Sequence, residues 1–336
     1  MNKPLPSQIV RRASLRQLQV FEAAARHLSF THAANELFLS QPTVSMQIKK
    51  LEEVAGLPLF EQLGRQIYLT DAGTALYATA YEVLDTLARF EMEVADMQGL
   101  KTGHLRLAVV TTAKYFVPRV LGMFSQLYPG IDVSLKVTNR ERLLERMTQN
   151  VDDLYIMGCP PQLPDVEFQP YLANPLVLLA PRNHPLAGHT QIPPERIAKE
   201  PFVIREPGSG TRMAIEQFFA ERNLPLRIKM ELGSNEAIKQ AIIGGLGISV
   251  LSRHTLALGD EHGSIVVLDV KGFPIPWQWY VGYSKGKRLS VVARTFLDYL
   301  NNEGKTIIEA IVGRAQKTKT SADDERCLVS ANEDSE

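Results

Sequence analysis

Strands and helices alternate between residues 103 and 303, and this alternation restricts the possible folds more than any other feature of the sequence. Its first part contains, in order, a strand at 104–112, a helix at 116–128, a strand at 131–138, a helix at 140–150 and a strand at 153–157. This order predicts a parallel sheet with right-handed crossovers. The five prolines within 160–175 predict irregular connections after it.

A second alternation follows, with strands at 176–180, 202–204, 227–232 and 248–251 and helices at 211–222 and 235–243. Two further strands, at 265–268 and 279–283, precede a closing helix at 291–301. We therefore expect two α/β lobes, one formed by 103–173 with 274–303 and the other by 174–273. Two such lobes leave a cleft beside the carboxyl ends of their strands, where ligands bind.

Three loops at predicted strand ends carry polar residues that could line this cleft. The glycine-rich loop at 205–212 opens a helix, whose free backbone N–H groups and dipole favour an anion. Each loop alone could equally be an ordinary cap or turn, but their convergence makes a small anion the leading class of ligand. Lys114, Arg205 and Arg212 could together hold a carboxylate plus a phosphate. The candidate effector-binding residues are Thr111, Thr112, Lys114, Arg205, Ser209, Thr211, Arg212, Ser234 and Asn235.

Residues 13–70 predict a winged helix-turn-helix. Helices at 15–27 and 31–38 precede a tight turn and a third helix from Gln41 to about Val54. Two short strands within 61–70 then form a hairpin with Arg65 near its tip, a position suited to a narrow minor groove. The exposed face of the third helix suits a major groove, although a merely solvated helix would look similar. That face and its flanks contain Pro42, Thr43, Ser45, Met46, Lys49 and Lys50.

Residues 71–98 predict one long helix, because they contain no proline and their apolar residues recur every three or four positions. This segment carries one basic and six acidic residues, whereas residues 1–70 carry eight basic and five acidic ones. The formal net charge of zero therefore conceals a basic head and an acidic rod. The apolar stripe could pack on its own domain, but its length favours a dimerisation coiled coil. Residues 99–103 are expected to form a hinge.

The run from Leu15 to Gly73 resembles the N-terminal domain of LysR-type transcriptional regulators. The resemblance rests, in order, on Ala33–Ala34, Ser40–Gln41–Pro42, Ser45, Leu51–Glu52, Gly56, Leu59–Phe60, Leu69–Thr70 and Gly73. It implies double-stranded promoter DNA as a partner, a linker helix that pairs two heads, and a homodimer or homotetramer. The residues that it implies for DNA contact are Gln41, Pro42, Thr43, Ser45 and Lys49 in the major groove and Arg65 on the wing. Many members have arginine where Met46 stands, so a direct arginine–guanine contact is not expected there.

Residues 103–303 resemble the effector domain of the same family, which is itself similar to a periplasmic binding protein. Segments 151–161 and 205–212 resemble the branch that controls carbon-fixation and inorganic-carbon-uptake operons in autotrophs. This resemblance implies ribulose bisphosphate, 2-phosphoglycolate or 2-oxoglutarate as the effector. Anion binding between the lobes would then shift their closure and, through the linker helices, DNA bending. Activation and repression both stay open.

Other classes of function find little support in the sequence. No apolar run is long enough to span a membrane, and dinucleotide, phosphate-loop, nucleophile-elbow and metal-ligand spacings are missing. We therefore expect no enzyme, metal or cofactor, and expect Cys159 and His254 to be packing or surface residues. Two cysteines fit a reducing compartment, either cytoplasm or plastid stroma. Residues 304–336, with Cys327, are expected to be a disordered tail. The alternative is a small-molecule receptor or enzyme whose head serves protein association.

Overall fold

The computed structural model describes residues 11–64, 66–97, 101–257, 263–286 and 288–308. Contacts divide the chain into two units, Met1–Gln98 and Gly99–Glu336. Arg65 of the predicted wing, residues 99 and 100 of the predicted hinge and Cys327 of the predicted tail lie outside the described residues. No helix of the described segments combines the length and apolarity that crossing a membrane requires.

The first unit begins with three helices around a core of small side chains. These are α1 (Leu15–His27), α2 (Phe30–Glu36) and α3 (Gln41–Ala55). The core consists of Val20, Ala23, Ala24, Ala33, Ala34, Val44 and Ile48. A serine hydroxyl accepts a backbone N–H at the start of each helix, as N-caps do. α2 ends two residues earlier than predicted, and Phe38 beyond it has a left-handed φ of 54°.

A hairpin follows α3, with β1 (Phe60–Leu63) antiparallel to β2 (Gln66–Leu69). The Glu52 carboxylate of α3 accepts hydrogen bonds from the N–H groups of Leu59 (2.8 Å) and Phe60 (3.4 Å). Gly73 packs so closely behind the hairpin that a Cβ there would lie 2.0 Å from the Leu59 carbonyl oxygen. The start of the hairpin is therefore held both by α3 and by the segment that follows β2.

A single long helix, α4 (Asp71–Met97), completes the first unit, as predicted. Its first turns pack on the core of the head, where Ala80 is buried. Farther along, Val83 and Leu87 are exposed and Phe90 is 62% exposed. The second half of α4 thus carries apolar side chains that the described residues leave open to solvent.

The second unit contains α and β elements in alternation. In chain order they are β3 (Gly103–Val110), α5 (Val117–Leu127), β4 (Ile131–Thr138), α6 (Arg140–Thr148), β5 (Leu154–Gly158), β6 (Val166–Ala173), β7 (Leu176–Pro181), α7 (Pro194–Ile197), β8 (Phe202–Arg205), α8 (Gly210–Ala220), β9 (Ile228–Leu232), α9 (Asn235–Ile243), β10 (Ser249–Ser252), β11 (Ile265–Val267), β12 (Gln278–Ser284) and α10 (Val291–Tyr299). Short 3-10 turns follow β3 at Ala113–Tyr115 and β10 at Arg253–Ala257.

The sheet of the first lobe has the strand order β4-β3-β5-β12-β6. β3 is parallel to β4 and β5, as the alternation predicts. β12 is antiparallel to both β5 and β6, so the parallel arrangement predicted from the first alternation holds for β3, β4 and β5, and the complete sheet is mixed. β6 was not predicted, because Pro170 interrupts its strand pattern. Pro170 is tolerated since β6 is an edge strand whose pairing with β12 shifts register beside that residue.

The chain does not leave the first lobe at residue 304, where the disordered tail was predicted to begin. A π-helical turn at Leu300–Gly304 continues α10, and residues 305–308 are helical. Ile308 is fully buried, and the Tyr171 hydroxyl donates to the Leu300 carbonyl oxygen at 3.2 Å. Apolar burial therefore extends the lobe beyond the predicted end.

The second lobe repeats the strand arrangement of the first. β8 is parallel to β9, whereas β10 and β11 are antiparallel to β7. The two groups join where the Val203 N–H donates to the Ile248 carbonyl oxygen at 2.9 Å, which gives the order β9-β8-β10-β7-β11. Near the passage between lobes, the Asn174 N–H donates to the Trp277 carbonyl oxygen at 2.8 Å.

Candidate DNA-contact surface and interlobe site

The residues predicted to face DNA lie on the outer side of α3. Gln41, Pro42, Met46, Lys49 and Lys50 are exposed. Thr43 and Ser45 are half-buried, and the Thr43 hydroxyl shares a 2.8 Å hydrogen bond with the hydroxyl of Ser40. The opposite side of α3 is fixed in the core through Val44, Ile48 and Leu51. The helix therefore offers a continuous polar face with one thioether and two ammonium groups.

Between the two lobes lies a cavity of about 20 Å³. Its polar lining consists of Thr111, Thr112, Asn139, Arg140, Asn174, Ser209, Thr211 and Trp277. These side chains come from the ends of β3, β4 and β8 and from the passage between the lobes. Four of the predicted effector residues, Thr111, Thr112, Ser209 and Thr211, are among them. A cavity of this size has room for about one water molecule.

Ser209 and Thr211 provide the cavity with hydroxyl groups that can donate hydrogen bonds to a ligand. Each residue is only 6% exposed, and neither hydroxyl has a hydrogen-bond partner among the described residues. They lie at the start of α8, a helix of 11 residues whose first N–H groups have no partner within the helix. Two unbonded hydroxyls on largely buried residues beside a helix N-terminus form an arrangement that suits an anion.

Arg140 is the cation at this cavity, and the sequence analysis did not select it. It is half-buried, and its Nε donates to the Cys159 carbonyl oxygen at 3.2 Å. Its terminal nitrogens have no ion-pair partner in the segments that the structure describes. The preceding residue, Asn139, caps α6 by accepting the Arg142 N–H at 3.0 Å. Their position could have been recognised in the sequence, because Asn139 and Arg140 directly follow the predicted strand at 131–138, just as the three predicted effector loops follow strands.

Asn174 and Trp277 were also missed. Asn174 is 2% exposed, and its Oδ1 accepts the Ser252 hydroxyl at 2.5 Å. Trp277 packs on Gly158, where a Cβ would lie 2.5 Å from the indole Nε1. No sequence pattern predicts that positions 174 and 277 meet. They are brought together by antiparallel pairing between the two segments that connect the lobes.

The other predicted cations are each held by a carboxylate of the protein. Arg205 is 1% exposed; its Nη1 donates to Asn235 Oδ1 (2.7 Å) and Thr111 Oγ1 (3.0 Å), and its Nε and Nη2 hold Glu206. It therefore ties the lobes together. Arg212 pairs with Glu216 at 2.7 Å and with Glu231 at 2.9 Å, and the hydrogen bond to Glu216 raises the pKa of Arg212.

Lys114 and Ser234 meet at the carboxylate of Glu236. Lys114 Nζ lies 2.6 Å from Oε2, the Ser234 hydroxyl donates to Oε2 at 3.0 Å, and the Tyr115 hydroxyl donates to Oε1 at 2.5 Å. Burial opposes ionisation of Glu236, but the hydrogen bonds from Lys114 and Tyr115 outweigh it and lower the pKa of Glu236 to about 2. Lys114, Arg205 and Arg212 are thus not brought together around one anion.

No group of three or more potential metal ligands was found among the described residues. His254 stacks on Trp279 with ring centroids 4.7 Å apart, and its Nε2 lies 3.1 Å from the Ala173 carbonyl oxygen. Burial lowers the pKa of His254, against the opposing effect of that carbonyl. His254 therefore packs beside the site as a neutral ring, as the sequence analysis expects.

Comparisons with known proteins match both units of the chain. Residues 15–74 match the family described as bacterial regulatory helix-turn-helix protein, lysR family, and residues 98–305 match the LysR substrate binding domain. The HTH-type transcriptional activator CmpR of Synechocystis sp. is 54% identical over 291 residues, which cover 87% of this chain and 96% of that protein. A RuBisCO operon transcriptional regulator of Acidithiobacillus ferrooxidans is 47% identical over 87% of this chain and 94% of its own.

A solved structure is similar to the second unit. The regulatory domain of Synechocystis PCC6803 CcmR in complex with 2-PG is 54% identical, with a TM-score of 0.59, and the match covers 60% of this chain and 99% of that one. The predicted winged helix-turn-helix and two-lobed effector domain are confirmed by these matches, and the matched family consists of transcriptional regulators rather than enzymes. The chain belongs to the LysR family of bacterial transcriptional regulators.

Proposed function

We propose that this regulator controls genes for carbon fixation or inorganic-carbon uptake and that a small phosphorylated acid sets its activity. The observation that carries the proposal is the 54% identity, over almost the whole effector domain, to a regulatory domain that was solved with 2-PG. We take 2-PG to be 2-phosphoglycolate, which combines a phosphate with a carboxylate. The activator CmpR and the RuBisCO operon regulator support the same class of target genes.

The effector binds between the lobes in this proposal. Its phosphate lies at the start of α8, where the hydroxyls of Ser209 and Thr211 and the guanidinium of Arg140 supply donors. Its carboxylate lies toward Thr112 and Asn174. A cavity of about 680 Å³ adjoins this one at Arg140 and Ser209. The cavity of about 20 Å³ that reaches Thr112 and Asn174 is smaller than such an acid, so binding there parts the lobes and shifts their closure.

Promoter DNA binds to the outer face of α3 in this proposal. Lys49 and Lys50 contact phosphates, Gln41, Thr43 and Ser45 contact base edges, and Met46 meets a thymine methyl group. Arg65 enters the minor groove from the wing. The exposed apolar side chains of α4 support pairing with a second copy, and two paired heads read an inverted repeat. The proposed domains are 13–70, 71–98, 103–173 with 274–303, and 174–273.

Calorimetry with the full chain tests the effector. We expect 2-phosphoglycolate to bind and glycolate, which lacks the phosphate, to bind at least a hundredfold more weakly. Equal affinity for both acids would contradict a phosphate site at α8. A footprint on an interrupted inverted repeat, altered by 2-phosphoglycolate, tests the regulator itself. A protein that binds the acid but does not prefer such a promoter over random DNA at moderate salt would instead be a small-molecule receptor.

A further inference from the structure

The carboxylate of Glu236 joins the two lobes on one side of the cavity. Glu236 lies in the first turn of α9 in the second lobe, whereas Lys114 and Tyr115 lie just after β3 in the first. Lys114 Nζ is 2.6 Å from one carboxylate oxygen, and the Tyr115 hydroxyl donates to the other at 2.5 Å. A single anion of the protein is therefore held by two donors from across the cleft.

We propose that Glu236 holds the cleft closed through Lys114 and Tyr115 and thereby opposes effector binding. These contacts must break when a phosphorylated acid parts the lobes. This inference rests on the proposed effector site. Lys114 and Tyr115 follow Thr111 and Thr112 of the cavity wall, so widening of the cavity moves the two donors away from α9.

The charge of Glu236 is central to this role. The low pKa, about 2, keeps the carboxylate ionised throughout the physiological pH range. The pair is also partly open to solvent, with side-chain exposures of 33% for Lys114 and 48% for Glu236. A half-exposed ion pair stabilises closure modestly, so an effector with more than one charged contact can displace it.

A second interlobe contact does not serve the same role. Arg205 reaches Thr111 across the cleft, but its charge is neutralised by Glu206 within its own lobe. It is almost fully buried and fixed by Asn235, so it supports the second lobe as well as the contact. The Glu236 carboxylate, in contrast, has its charged partner, Lys114, in the other lobe. Removal of the Glu236 charge should therefore weaken the closed state of the cleft.

The test is the substitution Glu236→Gln in the full chain, with 2-phosphoglycolate as the probe in calorimetry. Loss of the charge should tighten binding about fivefold, since a half-exposed ion pair no longer opposes opening. Tyr115→Phe should tighten binding two- to threefold. The control is Glu200→Gln, whose carboxylate forms a 2.7 Å ion pair with Arg196 inside the second lobe, and it should change affinity less than twofold.

A misfolded variant would bind more weakly, so tighter binding cannot come from structural damage. Unchanged or weaker binding by Glu236→Gln would overturn the proposal. Acrylamide quenching of tryptophan fluorescence reports on the cleft without any effector. Of the two tryptophans, Trp277 lines the cavity, and Trp279, which is fully buried, donates to Thr112 of the cavity wall. Quenching should increase in Glu236→Gln and stay unchanged in Glu200→Gln. If 2-phosphoglycolate fails to bind the unmodified protein, the proposed effector is wrong, and the quenching result alone decides whether Glu236 holds the cleft closed.

Discussion

The two units of the chain present their binding groups in opposite ways. In the head, the polar groups of α3 project from one exposed helix face, and the apolar side of the same helix carries the stability. In the effector domain, the polar groups come from several loops and are themselves buried, as Ser209, Thr211 and Asn174 are. An exposed face suits a ligand larger than the domain, whereas a buried set suits a small one. Binding and stability should therefore be separable in the head and linked in the effector domain.

The largest expected effect is a loss of stability of the head, caused by a substitution away from its proposed DNA-facing side. Gly73→Ala places a Cβ 2.0 Å from the Leu59 carbonyl oxygen, so backbone must move. We expect a loss of about 3 kcal/mol in the free energy of unfolding of the head. Urea titration monitored by circular dichroism measures it. Gly122→Ala in α5 is the control, because nothing lies within 4 Å of the added Cβ and a slight gain is expected there. Equal stabilities of the two variants would refute the steric argument.

Arg140→Ala should affect the effector domain alone. We expect affinity for 2-phosphoglycolate to fall about thirtyfold, or about 2 kcal/mol, because a partly buried cation at the phosphate is lost. Arg212→Ala should change the affinity less than threefold, since Arg212 is already paired with Glu216 and Glu231. Calorimetry on the two variants decides between them. A larger loss of affinity in Arg212→Ala than in Arg140→Ala would instead favour the effector site predicted from the sequence, in which Arg212 binds the anion.

Lys49→Ala should weaken DNA binding while it leaves stability unchanged. Lys49 is exposed on α3, and removal of one phosphate contact should reduce the slope of log affinity against log salt by about 1. Fluorescence anisotropy over a series of salt concentrations measures the slope. The control is Lys271→Ala, which removes an exposed lysine of the effector domain and should leave the slope unchanged. A shift in melting temperature for Lys49→Ala would show that binding and stability are not separable in the head.

The smallest expected effect is a pH dependence of the effector domain. Burial lowers the pKa of His254 below 6.5, so the unfolded chain binds more protons than the folded one around that pH. The stability contributed by the neutral ring is present above pH 6.5 and is lost as the pH falls through the lowered pKa. The difference in melting temperature between pH 7.5 and pH 5.5 should therefore shrink in His254→Gln. An unchanged difference would mean that other groups dominate.

The sequence predicted the head better than the effector site because the determinants of the head are local. The caps of Ser14 and Ser40 and the alanines of α1 and α2 act within a few residues of one another. The cleft instead depends on positions such as Asn139, Asn174 and Trp277, which meet only through strand pairing. Four of the five hydroxyls predicted at strand ends line the cavity, and the fifth, that of Ser234, bonds Glu236 instead. The predicted cations do not line it, since a long charged side chain pairs with whichever carboxylate the fold brings near it. Lys114 and Arg212 show this.

The carboxylate of Glu52 gives the head a property beyond its stability. It is part of α3, yet it accepts the N–H groups of Leu59 and Phe60 where the wing begins. Any tilt of α3 in the proposed complex with DNA must therefore move the wing with it. In the proposed complex with DNA, this connection fixes the distance between α3 in the major groove and the wing in the neighbouring groove. Overwound or bent DNA changes the distance between the grooves, so we expect the head to bind it more weakly even when every base is correct.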